Sequence, residues 1–176
     1  MAIVTLILGG ARSGKSALAM RLAEQSGKQV IYMATATALD HEMQERILRH
    51  QDDRPAHWQL VEAPRLLADA IARHAGPDHC LLVDCLTLWL TNLLHDAEGA
   101  PLPDAQLQQQ FAQLLQMLDQ AEGEILLVAN EVGLGIIPLG ELTRRFVDEA
   151  GRLNQAIAQQ AHRVLFVAAG LPLTLK

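Results

Sequence analysis

The sequence predicts an α/β fold of three layers, in which helices flank a mainly parallel β-sheet. Short apolar runs alternate along the chain with segments whose apolar residues recur at helical spacing. Several of the apolar runs are continuous rather than alternating, which is typical of strands covered on both faces. Because 176 residues, half of them hydrophobic, suffice for one compact core, we expect a single domain over residues 1–176.

Apolar runs predict six strands, and a short seventh strand is expected near the end of the chain. In order they are Ile3–Leu8, Gln29–Ala34, Trp58–Glu62, Cys80–Asp84, Glu124–Ala129, Arg163–Ala168 and the terminal Pro172–Leu175. Helices are predicted between them at Lys15–Gln25, Asp40 to about Gln51, Arg65–His74, Leu86–His95, Pro103–Ala121 and Glu141–Ala161. The fifth helix shows the pattern well, since its apolar stripe is Leu107, Phe111, Leu114 and Leu118. The apolar fourth helix is compatible with either a core or an interface position.

Composition narrows the classes of partner. The formal net charge is −6 and no long lysine or arginine run is present, which argues against nucleic acid as the main partner. Cys80 and Cys85 are too few for a disulfide framework and are interpreted as buried free thiols. The apolar start, Ala2–Leu8, is too short to span a membrane, so we expect no membrane span and a cytoplasmic protein.

A phosphate-binding loop follows the first strand. The pattern G-x-x-x-x-G-K-[ST] is matched by Gly9, Gly10, Ala11, Arg12, Ser13, Gly14, Lys15 and Ser16. In such a loop the amide N–H groups point at phosphate oxygens, with a helix N-terminus behind them. Lys15 is expected to reach the β- and γ-phosphates, and the Ser16 hydroxyl to hold Mg²⁺. The strand–loop–helix context predicts a P-loop NTPase of RecA-like architecture.

A second anchor for the metal is expected at the end of the fourth strand. The apolar run Cys80–Asp84 ends in a carboxylate, as the second P-loop NTPase motif requires. Asp84 would then lie at the carboxyl edge of the sheet, where open α/β folds bind ligands. The alternative is that Asp84 caps the following helix, and the two roles are compatible.

His50 lies near the end of the helix predicted from Asp40 to about Gln51. It shares one face of that helix with Leu39, Met43 and Ile47. On spacing alone, a packed or capping histidine is the more common interpretation, and a catalytic role stays open. A nucleophile needs the neutral ring, whereas a helix C-terminus favours the imidazolium.

Four motifs together resemble one enzyme family. They are GGARSGKS, the stretch YMAT followed by DxEMxxRIxxHxxxRPxxW, the run VDCLTLWLTNLL, and ANEVGLGIIP. In order and spacing they resemble the bifunctional adenosylcobinamide kinase/adenosylcobinamide-phosphate guanylyltransferases of cobalamin biosynthesis. The resemblance covers essentially the whole chain. The phosphate loop alone is shared by many proteins, whereas the elements HxxxRPxxW and NEVGxGIxP together are specific.

The resemblance implies two reactions with Mg²⁺ as cofactor. Adenosylcobinamide is phosphorylated with ATP or GTP, and GMP is then transferred from GTP to the adenosylcobinamide phosphate through a guanylylated histidine. The matching histidine is His50, so the resemblance makes His50 and Lys15 the expected catalytic residues. An unperturbed histidine titrates near neutrality, so an unprotonated nitrogen is available to attack. The family also implies a homotrimer.

The resemblance further implies which residues contact the nucleotide. They are the phosphate loop, Ala34, Thr35, Ala36, Gln51, Asp52, Asp53, Arg54, Glu62 and Asp84. Alternatives remain for two of them, since Glu62 also fits a solvated strand end and Arg54 a surface cation. The family can carry glutamate where this chain has Asp84, and the shorter arm changes the reach to the metal.

Glu131 lies in the glycine-rich ANEVGLGIIP segment after the fifth strand. It is compatible either with orienting the substrate hydroxyl or with a solvated position in a structural turn.

Two competing functions are a P-loop kinase of another small metabolite and a guanine-nucleotide switch. The usual N/T-K-x-D guanine-reading element is missing from the sequence, which counts against a switch.

Overall fold

The computed structural model describes residues 1–37, 54–94 and 102–176, and seven strands form one sheet within these ranges. The strands are β1 (Ile3–Gly9), β2 (Gln29–Ala34), β3 (Gln59–Glu62), β4 (His79–Asp84), β5 (Glu124–Asn130), β6 (Arg163–Ala168) and β7 (Leu171–Thr174). Their order across the sheet is β3-β2-β4-β5-β1-β6-β7. All pairings are parallel except the antiparallel pairing of β6 with β7. The predicted mainly parallel sheet is confirmed.

Five helices are described, and their bounds lie close to the predicted ones. They are α1 (Lys15–Gln25), α2 (Leu67–His74), α3 (Leu86–Leu94), α4 (Asp104–Gln120) and α5 (Glu141–Gln160). The helix predicted from Asp40 to Gln51 lies outside the described residues. Helix α2 begins two residues later than predicted, and the Arg65 carbonyl before it accepts a hydrogen bond from the Trp89 indole at 2.9 Å.

Two apolar clusters cover the two faces of the sheet, which gives the three predicted layers. Alternation along β1 sends Leu6 and Leu8 into one cluster and Ile7 into the other. The larger cluster packs α2, α3, α4 and α5 against the sheet, and α1 packs on the opposite face. Helix α3 belongs to the core, because Trp89 is fully buried and its ring is tilted against that of Phe111, with 6.0 Å between the ring centroids.

One predicted strand begins a residue late. Trp58 precedes β3 in a turn, where its amide N–H donates to the Pro55 carbonyl at 3.0 Å. Its indole is buried in the α1-side cluster beside Tyr32, which anchors the segment that starts at Arg54.

Within the ranges that the structure describes, no helix has both the length and the apolar character needed to cross a membrane.

Candidate nucleotide site

The carboxyl ends of five parallel strands bring the predicted site residues to one edge of the sheet. Gly9 ends β1 and is in register with Asn130 at the end of β5. Ala34, at the end of β2, is in register with both Asp84 of β4 and Glu62 of β3. This edge is where ligands of open α/β sheets bind.

The phosphate loop has the backbone conformation that its glycines allow. Gly14 has φ 95° and serves as the N-cap residue of α1, and Arg12 also adopts a positive φ of 56°. Because glycine has no side chain to cap a helix, the first N–H groups of α1 depend on other partners. An anion is such a partner at a helix N-terminus.

Tight packing supports the loop from below. A Cβ atom added at Gly9 would lie 2.5 Å from the Ser13 Oγ and 2.6 Å from the Val167 carbonyl oxygen. The Gly170 amide, in the turn between β6 and β7, donates to the Ser13 carbonyl at 2.8 Å. On the other side, the Glu131 amide donates to the Gly9 carbonyl at 3.0 Å. The segments after β5 and β6 therefore hold the loop in place.

Lys15 lies back against its own loop. Its Nζ donates to the Gly10 carbonyl at 3.0 Å, and the side chain is only 8% exposed. Burial lowers the pKa of Lys15, and the nearby Cys85 and Asp84 oppose that shift. A desolvated ammonium with few partners gains strongly from a polyphosphate, so the arrangement suits the predicted role.

Asp84 faces the same side of the sheet as Lys15 and accepts a hydrogen bond from Tyr32. The Tyr32 hydroxyl donates to Asp84 Oδ2 at 3.0 Å, and the Arg54 guanidinium lies 5.3 Å from the centroid of the tyrosine ring. Burial and, less strongly, the Asp84 charge raise the pKa of Tyr32, so its hydroxyl stays protonated.

The capping alternative for Asp84 is wrong, since the carbonyl of Cys85 accepts the first helical bond of α3, from Trp89.

Thr35 fixes the two segments that flank the Asp84 carboxylate. Its Oγ1 donates to the Cys85 carbonyl at 2.7 Å and accepts from the Cys85 amide at 2.8 Å. The Asn92 side-chain amide donates to the carbonyls of Thr35 at 2.7 Å and Pro64 at 2.9 Å. The Thr35 side chain thus serves the protein's own backbone, and contact of Ala34–Ala36 with a nucleotide stays a prediction.

The donor chemistry fits a magnesium nucleotide. Ser16 and Asp84 offer the hydroxyl and carboxylate oxygens that Mg²⁺ prefers. Within the described residues, the buried Ser13 Oγ and Asn130 Oδ1 have no hydrogen-bond partner, and both lie at this edge of the sheet. Ser13 belongs to the predicted phosphate loop, whereas Asn130 was not predicted as part of a site.

Glu62 and Arg54 lie toward the far end of the edge. Strand β3 is four positions from β1 in the sheet, a lateral distance of about 19 Å at the usual strand spacing. A ligand that contacts both the phosphate loop after β1 and Glu62 at the end of β3 must therefore be extended, as a nucleoside triphosphate is. His50, Gln51, Asp52 and Asp53 lie outside the described residues, so their predicted roles stay predictions.

Glu131 makes contacts typical of a turn. Its Oε1 accepts a hydrogen bond from the Gly133 amide at 2.9 Å, and its own amide supports Gly9. The loop that follows is apolar and exposed, with Leu139 97% exposed. Among the described residues no group of three or more His, Cys, Asp or Glu could hold a metal ion.

Sequence reasoning missed Tyr32, Thr87 and Asn92 as parts of this edge. The Thr87 hydroxyl accepts from the Asn130 amide at 2.7 Å, which ties α3 to the end of β5. The one available signal was strand alternation, which places Tyr32 on the same face as Ala34. Contacts from α3 depend on tertiary packing and leave no local pattern.

A phosphate loop between β1 and α1, with an acidic strand end at the same edge, defines a P-loop nucleotide-binding α/β protein. Solved structures share this fold at low identity. The alignment with a RadB recombinase covers 93% of this chain and 73% of the recombinase chain, at 16% identity and a TM-score of 0.51. The alignment with a Pyrococcus horikoshii protein, PH0250, covers 100% of this chain and 88% of the PH0250 chain, at 10% identity and a TM-score of 0.60. The alignment with the P4 protein of bacteriophage phi6, solved with ADP, covers 98% of this chain and 54% of the P4 chain, at 16% identity and a TM-score of 0.50.

Closer relatives identify the family. Residues 5–175 match the model of the cobinamide kinase / cobinamide phosphate guanyltransferase family. The bifunctional adenosylcobalamin biosynthesis protein CobP of Pseudomonas aeruginosa is 55% identical over 97% of this chain and 96% of its own. CobU of Salmonella typhimurium and of Escherichia coli are each 39% identical over 99% of this chain and all of theirs. The chain belongs to this family of cobalamin biosynthesis and is a kinase and nucleotidyltransferase.

Proposed function

We propose that this enzyme phosphorylates adenosylcobinamide with ATP or GTP and then joins GMP from GTP to the resulting adenosylcobinamide phosphate. The second step releases pyrophosphate and gives adenosylcobinamide-GDP. The observation that carries the proposal is the phosphate loop, with Gly14 at φ 95° and a desolvated Lys15, in a chain of the cobinamide kinase family.

In the kinase step the chain mainly positions and stabilises charge. The loop amides and Lys15 bind the phosphate oxygens, and Ser16 and Asp84 hold Mg²⁺. When bound, Mg²⁺ neutralises charge that develops on the transferred phosphoryl group. Ala34–Ala36, Arg54 and Glu62 contact the rest of the nucleotide, together with the neighbouring Gln51, Asp52 and Asp53.

In the guanylyl step His50 is the nucleophile. The neutral imidazole attacks the α-phosphorus of GTP, a phosphorus–nitrogen bond forms, and the bond to pyrophosphate breaks. An oxygen of adenosylcobinamide phosphate then attacks the same phosphorus and releases His50. Because the kinase step uses the γ-phosphorus and this step the α-phosphorus, the triphosphate or the His50 segment must shift between them.

The test is a two-step product assay with mass-resolved chromatography. The enzyme is incubated with Mg²⁺, adenosylcobinamide and either ATP or GTP, and the formation of adenosylcobinamide phosphate and adenosylcobinamide-GDP is followed. His50→Ala should keep the first product and lose the second, whereas Lys15→Ala should lose both. Formation of adenosylcobinamide-GDP by His50→Ala at the unmodified rate would exclude His50 as the nucleophile. No phosphorylation of adenosylcobinamide at all would favour a kinase of another metabolite.

We also propose a homotrimer in the cytoplasm, without a nucleic-acid partner. The exposed apolar side chains support self-association, because large apolar patches on a surface mark interaction sites. Two segments carry several of them, the loop after β5 and the edge strand β7, and these residues are Leu134, Ile136, Ile137, Leu139, Leu171 and Leu173.

A further inference from the structure

Tyr32 makes a contact with Asp84 that the proposed reactions do not explain. The two residues are on the adjacent parallel strands β2 and β4, and Tyr32 is in register with Leu82, two residues before Asp84. Its side chain therefore leans along the strand to bring the hydroxyl 3.0 Å from Asp84 Oδ2. The ring is 6% exposed and is packed in the apolar cluster with Val30 and Trp58, so its position is fixed.

We propose that Tyr32 is a positioning residue for the metal-binding carboxylate: its hydroxyl holds Oδ2 of Asp84, which leaves Oδ1 in one orientation for a divalent cation at the phosphate loop. The inference rests on the proposed metal role of Asp84 and goes beyond it. The terminal torsion of an aspartate is broad, so a carboxylate at a strand end needs a partner to select one orientation. Partners of this kind commonly orient metal ligands in proteins.

Two further contacts make this orientation specific. The Arg54 guanidinium over the Tyr32 ring covers the ring and places a cation on the same side of the sheet as Asp84. Thr35 holds both backbone groups of Cys85, the residue after Asp84. With Cys85, the residue after Asp84, held by Thr35, the hydrogen bond from Tyr32 orients the carboxylate plane.

The test measures metal binding separately from turnover. Mn²⁺ is titrated into the enzyme with GTP, and free Mn²⁺ is followed by electron paramagnetic resonance. GTP affinity is measured in parallel with EDTA. Tyr32→Phe removes only the hydroxyl, and Asp84→Asn removes the carboxylate. Thr5→Val is the matched control, because Thr5 is a fully buried residue whose hydroxyl has no partner among the described residues.

We expect Tyr32→Phe to weaken Mn²⁺ binding about tenfold, the usual effect of losing a partner of a metal ligand, with GTP affinity in EDTA unchanged. The Mg²⁺ concentration needed for half-maximal activity should rise by a similar factor. Asp84→Asn should lose more, and Thr5→Val should bind Mn²⁺ like the unmodified enzyme.

Two results would overturn the positioning role alone. One is normal Mn²⁺ affinity in Tyr32→Phe while Asp84→Asn loses it, which leaves the proposed metal site intact. The other is a loss of GTP affinity in EDTA that is as large as the loss of Mn²⁺ affinity in Tyr32→Phe, because such a result indicates general damage to the site. If Asp84→Asn also binds Mn²⁺ normally, the metal site itself fails, and the role of Tyr32 fails with it.

Discussion

Single atoms decide which substitutions the phosphate loop tolerates, and two adjacent glycines differ sharply. A Cβ at Gly9 meets Ser13 Oγ and a backbone oxygen of Val167, whereas a Cβ at Gly10 meets nothing within 4 Å. The sequence motif requires glycine at the first position, and the structure supplies the steric reason for it.

Gly9→Ala should therefore destabilise the protein, while Gly10→Ala serves as its matched control. Overpacking of this kind lowers the free energy of unfolding by about 1–3 kcal/mol, because the backbone must shift to accept the methyl group. Gly10→Ala should stay within about 0.5 kcal/mol of the unmodified protein. Urea unfolding followed by tryptophan fluorescence measures both, and equal losses in the two variants would contradict the steric account.

The buried cysteine thiols make stability fall at high pH. Burial raises the pKa of Cys80 to about 12 and that of Cys85 to about 11, from an ordinary value of 9.0. Between pH 9 and these values the folded chain binds more protons than the unfolded chain, so the free energy of unfolding decreases as pH rises. Cys80→Ala should show a shallower decrease over pH 9–12 in denaturant titrations. An unchanged slope would refute the linkage.

Whole elements were predictable where periodicity is local. The runs Gln29–Ala34 and Arg163–Ala168 and the helix Lys15–Gln25 have the predicted bounds, and the phosphate loop was recognisable from its motif. What escaped prediction are contacts between elements, such as those of Thr35 with Cys85 and of Asn92 with Pro64. They arise from the pairing of β2 with β4 and from the packing of α3 against the sheet, and no spacing along the chain encodes either.

The contact between the β2 end and the β4 end is testable through Thr35. Thr35→Val removes the hydroxyl that pairs with both backbone groups of the buried Cys85, which should cost about 2–4 kcal/mol in the free energy of unfolding. Thr35→Ser keeps the hydroxyl and should lose about 1 kcal/mol for the missing methyl group. Chemical denaturation compares the two, and a loss in Thr35→Ser as large as in Thr35→Val would mean that packing, not hydrogen bonding, dominates there.

The whole molecule joins a buried scaffold to a functional edge of the sheet. The two apolar clusters form a rigid sheet and helix scaffold, and the carboxyl edge carries the loop, Asp84 and Glu62. Several exposed apolar residues lie on the loop that follows β5 at this edge and on the edge strand β7.

Self-association is the matching prediction for the whole molecule. Sedimentation equilibrium should give the mass of three chains, and Leu173→Glu should shift the protein toward the monomer without unfolding it, because Leu173 is 61% exposed. Burial of exposed apolar area drives the association, and a buried charge opposes it. A monomer at all concentrations in the unmodified protein would contradict the proposed trimer.

The most direct test of the account is the mass of the protein after incubation with GTP and Mg²⁺. The account predicts a covalent adduct of one guanylyl group, mapped by peptide fragmentation to His50 and absent in His50→Ala. The adduct should disappear when adenosylcobinamide phosphate is added. An unmodified mass under conditions in which the enzyme forms adenosylcobinamide-GDP, or an adduct that maps to another residue, would contradict it.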